Sequence, residues 1–204
     1  MALFAALAVL AFLRLNPGFH PAEAVQFLRE AGPWVYFGAM GLLPVIGFPL
    51  APFNLAAGPA FVPSLGLLPV ILLACAAIGV NVSLTYCLSK YTLRPLVVRA
   101  AAWLGYSIPE IPADKHLAAA FLVRATPGPP FFLQSCLLGI AGVPFLPYMI
   151  ASLSVAGVYA ALVIAGGDAL MNGRIRVVLL CCAGLGLFAT VLRLLRRKGA
   201  QAKP

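Results

Sequence analysis

Pro49-Leu50-Ala51-Pro52-Phe53-Asn54-Leu55 and Pro127-Gly128-Pro129-Pro130-Phe131-Phe132-Leu133 share the pattern P-x-x-P-F-x-L at an offset of 78 residues. The offset persists without gaps: Pro69 aligns with Pro147, Gly79 with Gly157, Val80 with Val158 and Leu84 with Leu162. In a chain rich in Leu, Ala, Gly and Pro, such identities also arise by chance. The density of the block and the retained register favour an internal repeat. Paired Gly/Pro-interrupted apolar segments in two halves of a membrane protein point to a binding site between the halves.

Composition sets the class. Of 204 residues, 63% are hydrophobic and 9% charged, against about 25% charged residues in soluble domains. The expectation is an all-α integral membrane protein with about four to five transmembrane helices. The net charge of +9 does not indicate nucleic acid, because the basic residues gather at segment ends and in the tail. The cysteines Cys75, Cys87, Cys136, Cys181 and Cys182 lie in apolar runs without ligand spacing, so no metal, cofactor or disulfide framework is expected.

Residues 1–30 comprise a short apolar helix, Met1–Leu15, and an amphipathic stretch read as a surface helix. The first is expected to be retained, because no basic region precedes it and Leu15-Asn16-Pro17 is a poor cleavage site. Pro44, Pro49, Pro52, Pro59 and Pro63, with Gly47 and Gly58, then fall in one uncharged segment. A straight helix tolerates interior prolines badly, and an uncharged loop suits water badly. A re-entrant helical hairpin near 44–63, its tip buried in protein or lining a wet cavity, satisfies both constraints.

Gly66–Leu88 reads as a span, Thr92–Lys115 as a polar connection carrying a surface helix, and 117–142 as a second hairpin. Val143–Asp168 and Val177–Leu195 are further spans. The membrane domain is thus 31–170, followed by a C-terminal helix at 171–195 and a basic tail at 196–204. The distribution of Lys and Arg places that tail in the cytoplasm. The two hairpins then enter from opposite faces, as an inverted repeat.

Arg124 is the leading site candidate, since a charge inside an embedded segment marks a functional site or a buried pair. Its planar fork suits phosphate oxygens. The alternatives are a snorkelling or helix-capping arginine. Asn54 and Gln134 lie near the two tips and serve either a headgroup or broken backbone. Pro49, Pro52, Pro127, Gly128 and Pro130 complete the candidate substrate-binding set. Asp168 is expected in water at the end of a span. No nucleophile–base or acid–histidine combination occurs in the spans, so no enzyme is expected.

Two blocks carry a family resemblance. They are Phe48-Pro49-Leu50-Ala51-Pro52-Phe53-Asn54-Leu55-Ala56-Ala57-Gly58, and Phe121-Leu122-Val123-Arg124-Ala125-Thr126-Pro127-Gly128-Pro129-Pro130-Phe131 with Leu138-Gly139-Ile140-Ala141-Gly142-Val143. With the Tyr86–Lys90 exit, they resemble the DedA superfamily, the VTT-domain or SNARE-associated Golgi protein-like membrane proteins, over about residues 30 to 170. The resemblance implies two facing hairpins and translocation of phospholipid or polyprenyl-phosphate as a flippase or scramblase. Arg124 matches the arginine of the family's second hairpin. It further implies anionic lipid headgroups as partners and a bacterial plasma (inner) membrane location, with a homo-oligomer allowed. Gly47 to Gly58 lacks the acidic residues linked to proton coupling in the DedA branch, which leans the reading to other VTT branches or passive scrambling. The competing reading is a non-transporting, membrane-organising or interaction protein.

Overall fold

The computed structural model describes residues 21–103, 111–126 and 129–201. The expected helix Met1–Leu15, Pro127, Gly128 and the last residues of the tail lie outside them. Every regular element described is helical. The helices are α1 (Pro21–Ala31), α2 (Pro33–Leu42), α3 (Leu50–Leu65), α4 (Leu67–Cys87), α5 (Arg94–Trp103), α6 (His116–Ala125), α7 (Phe131–Ile140), α8 (Phe145–Met171) and α9 (Ile175–Gln201). Short 3₁₀ turns cover Leu43–Ile46 and Ala113–Lys115, and a π-helical turn covers Leu88–Leu93.

Among the described residues, three helices are long and apolar enough to cross a membrane: Leu67–Trp103, Phe145–Met171 and Ile175–Leu192. They are consistent with an integral membrane protein. The remaining apolar segments Pro33–Ile46, His116–Ala125 and Phe131–Ile140 are shorter. Three boundaries differ from expectation; one is that α9 begins at Ile175 and continues to Gln201, into the stretch expected as tail. The first span does not stop at Leu88; it runs on through the π turn into α5, so the supposed polar connection begins as helix.

The first break is also narrower than the proline count suggests. It lies at Gly47, whose φ of +99° suits only glycine well, and at extended Pro49. Pro52 falls in the first turn of α3, where a missing N–H costs nothing. Pro59 and Pro63 then sit inside a continuing helix, and their missing donors orphan the carbonyls of Leu55 and Pro59. Arg29 of α1 repairs the second, donating from Nη2 to Pro59 O at 2.7 Å and from Nε to Ala60 O at 3.0 Å. The Leu55 carbonyl instead faces Gly167 of α8, so close that no Cβ fits there.

At the centre, α4 and α8 run antiparallel. Gly157 lies by Cys75, Gly79 by Leu153, and the Tyr86 and Phe145 rings are 5.3 Å apart. Tyr148 Oη donates to Val82 O and Tyr86 Oη donates to Val143 O, both at 3.0 Å. The face Val70, Ala74, Ile78, Val82 of α4 is buried at a spacing of one helical turn. Around this pair, α2 packs on α4 and α6 on α8, while α3 packs on α8 and α7 on α4. Helix α9 covers α8 and α6.

The 78-residue register holds in the long helices: Gly66 and Pro144 are the residues before α4 and α8, and Pro69 and Pro147 are third in each. It slips at the breaks, where Pro49 and Pro130 hold the matching positions before α3 and α7, 81 residues apart. Pro49 therefore corresponds in place to Pro130 and not to Pro127.

Candidate functional site

Arg124 closes α6 and is 5% exposed. Thr126, extended after it, ends the helix, and α7 restarts after Pro130. The break lets the guanidinium reach across to two other helices. Nε and Nη2 donate to Ser152 Oγ of α8 at 3.1 and 2.8 Å, Nη2 donates to Ser135 Oγ of α7 at 2.9 Å, and Nη1 donates to Phe131 O at 3.2 Å. The Phe131 ring centroid is 4.1 Å from the guanidinium carbon and that of Tyr148 is 5.6 Å away.

This cage is made of neutral dipoles and aromatic faces. Four of the five guanidinium N–H groups have protein acceptors, and one on Nη1 has none among the described residues. No carboxylate approaches Arg124 there. The one ion pair in those residues joins Asp168 to Arg174 at 3.8 Å. Asp168 follows Ser152 by 16 residues on α8, about 24 Å at 1.5 Å per residue, so it does not neutralise Arg124. A buried cation held by dipoles alone keeps most of its attraction for an anion, because low dielectric weakens screening.

The other candidates divide. Gln134 is buried and donates from Nε2 to Thr126 O at 3.0 Å, so it serves the broken backbone. Asn54 is 2% exposed, and its Oδ1 has no partner among the described residues. Asn81 Nδ2 and Thr85 Oγ1, one turn apart on α4, are also buried without partners there. Such atoms in a native fold call for water or a ligand. Pro49 and Pro130 fix the helix starts, Pro52 lies inside the first turn, and Pro127 and Gly128 lie outside the described residues. The snorkelling alternative for Arg124 does not fit its burial. Asp168 departs from expectation: it is 7% exposed, clasped by Asn172 Nδ2 at 2.9 Å as well as by Arg174. The cause is the close approach of α3, where a Cβ on Gly58 would stand 2.7 Å from Asp168 N.

Sequence reasoning missed Ser135, Ser152, Phe131 and Tyr148 as the partners of Arg124. Ser135 was within reach of it, lying one residue beyond Gln134 in the 117–142 segment. Ser152 and Tyr148 had no local signal, because only the packing of α6 on α8 brings them in. The two broken segments also approach each other: the place of a Cβ on Gly47 is 4.0 Å from Phe132 Cδ1.

Compared with protein-family models, curated proteins and solved structures, the chain finds no match.

Proposed function

We propose that this chain moves lipids with phosphate-bearing headgroups across a bilayer, with Arg124 as the transient headgroup ligand. The observation that carries the reading is a buried guanidinium with a spare donor and no described carboxylate within reach. A phosphate in that position accepts a charge-assisted bond and supplies the missing negative charge. Asn54, Asn81 and Thr85 supply polar atoms for a hydrated path, in which a headgroup avoids about 30 Å of hydrocarbon.

Helix lengths and contacts support a topology of two re-entrant segments. Helix α2 with its 3₁₀ end, Pro33–Ile46, is about 23 Å long, and α7, with 10 residues, about 15 Å, so both fall short of about 30 Å of hydrocarbon. Re-entrant hairpins account for such arms. An inverted repeat accounts for the exchange of partners: α2 stays with α4 as α6 stays with α8, whereas α3 crosses to α8 as α7 crosses to α4. The glycine contacts obey the same exchange. Gly58 meets Asp168 N, and Gly139, 81 residues later, meets Lys90 N, 78 residues earlier. On this reading the chain belongs with the DedA/VTT proteins it resembles, in a bacterial inner membrane with the C-terminus cytoplasmic, and needs no cofactor or catalytic set.

The membrane-organising alternative draws on α5, which has no buried residue, and on α9, largely uncovered and available for a second copy. Reconstitution into vesicles with fluorescent phospholipids distinguishes the two. The translocation reading expects bleaching of inner-leaflet probe by a membrane-impermeant reductant, and loss of that bleaching in Arg124→Gln. A wild type that moves no lipid, with or without a gradient, leaves the alternative standing.

A further inference from the structure

One turn beyond Ser135, α7 meets the end of α4. Gly139 packs on Ser89 Cβ, and Lys90 N is 3.5 Å from where a Cβ would stand. Three residues on, Gly142 turns the chain at φ +76°, and Arg94 Nη2 lies 3.0 Å from the place of its Cβ. Lys90, in the π-helical segment Leu88–Leu93, and Arg94, the first residue of α5, flank this turn, and such an irregularity is frequent at functional sites. Lys90 Nζ donates to Tyr86 Oη at 3.0 Å and stands 5.9 Å from the Tyr91 ring centroid. Its other two protons have no described acceptor. Both cations are partly exposed, and neither pairs with a carboxylate among the described residues. Beside them stand exposed Tyr91 and, in the first turns of α5, exposed Leu96, Val97 and Val98.

We propose that Lys90 and Arg94 form a second phosphate site, at the membrane surface, for an anionic phospholipid of the adjoining leaflet. The proposal deepens the reading of Arg124, on which its last step rests. Two cations one turn apart suit a phosphodiester, and the apolar flank of α5 suits acyl chains, which free phosphate lacks. Gly139 and Ser135 share one face of α7, four residues apart, about 6 Å along the axis. A phosphate leaving Lys90 and Arg94 therefore reaches the Arg124 cage within one or two helical turns. Small Gly139 and Gly142 keep the basic side chains close to α7.

The chain has two tryptophans, Trp34 and Trp103; Trp34→Phe, Trp103→Phe and Tyr91→Trp together leave a single reporter beside Lys90. In phosphatidylcholine vesicles with a minor share of phosphatidylglycerol, bromine is placed on the acyl chains of one lipid at a time. Quenching of this tryptophan by brominated phosphatidylglycerol is expected to exceed its bulk fraction about fivefold or more, the effect of at least one surface cation. Lys90→Gln with Arg94→Gln returns quenching to the bulk fraction, while Lys90→Arg and Arg124→Gln retain the enrichment. Absence of enrichment in the single-tryptophan protein overturns the proposal, as does its survival in the double variant. Complete displacement by added inorganic phosphate overturns the assignment to a lipid. Enrichment at the reporter with no lipid movement in the translocation assay upholds this site and removes the Arg124 reading instead.

Discussion

Gly58→Ala tests the close crossing of α3 and α8. The new methyl would overlap the Ile164 carbonyl oxygen and stand 2.7 Å from Asp168 N. Real Cβ atoms do not approach backbone this closely, and neither obstacle is a side chain able to rotate away. The helices must part by about 1 Å, and overpacking of this kind costs about 1–3 kcal/mol. With rigid obstacles on both sides, we take the upper figure, about 3 kcal/mol. Alanine returns about 1 kcal/mol of helix propensity over glycine. The net loss is about 2 kcal/mol, roughly a thirtyfold fall in the folded-to-unfolded ratio. Gly186 of α9 is the control, because nothing lies within 4 Å of its would-be Cβ. Gly186→Ala shows the propensity gain alone, so the two variants should differ by about 3 kcal/mol. Helicity followed through a denaturing-detergent titration in mixed micelles reads the difference. Equal stability of the two variants would refute the packing of α3 on α8 at Gly58.

Arg29→Ala removes the donor to Pro59 O and should cost about 1 kcal/mol at this exposed site. In a Pro63→Ala background, where a backbone N–H is restored to that carbonyl, the cost should shrink, and a double-mutant cycle measures the coupling. Tyr148→Phe loses its buried bond to Val82 O and should lower stability by about 1 kcal/mol in the same titration. Arg124→Lys keeps the charge but not the fork that reaches Ser135, Ser152 and Phe131 O together. Lipid movement should fall about tenfold or more, the effect of about 1.4 kcal/mol of lost binding. Ser152→Ala, which removes two of the four bonds, should fall between Arg124→Lys and wild type in the vesicle assay.

Much of the architecture was legible from physics acting on single segments. Apolar length foretold the long helices around Gly66–Leu88, Val143–Asp168 and Val177–Leu195, and charge scarcity foretold the class. The break at Gly47–Pro49 was legible too, because glycine and proline act on their own residues. What escaped were effects supplied by neighbours. Pro59 and Pro63 look like helix breakers, but Arg29 and the Gly167 approach provide what their helix lacks. Asp168 looks like a solvated span end, but Gly58 lets α3 press against it. The 78-residue spacing matches the starts of α4 and α8, whereas the starts of α3 and α7 lie 81 residues apart. Arg124 stood out as a charge in an apolar run. Its cage of Ser135, Ser152, Phe131 and Tyr148 did not, because two other helices, α7 and α8, contribute it.

Translocation as proposed requires two interrupted segments that enter the bilayer from opposite faces and turn back where they meet. Single cysteines in a background lacking the native five, placed at Glu30, Gly66, Lys115 and Gly142, bracket the two segments. A membrane-impermeant maleimide applied to one side and then the other reads their sidedness. Glu30 and Gly66 should label from one face, and Lys115 and Gly142 from the other. Labelling of Glu30 and Gly66 from opposite faces, or of all four from the same face, would contradict it.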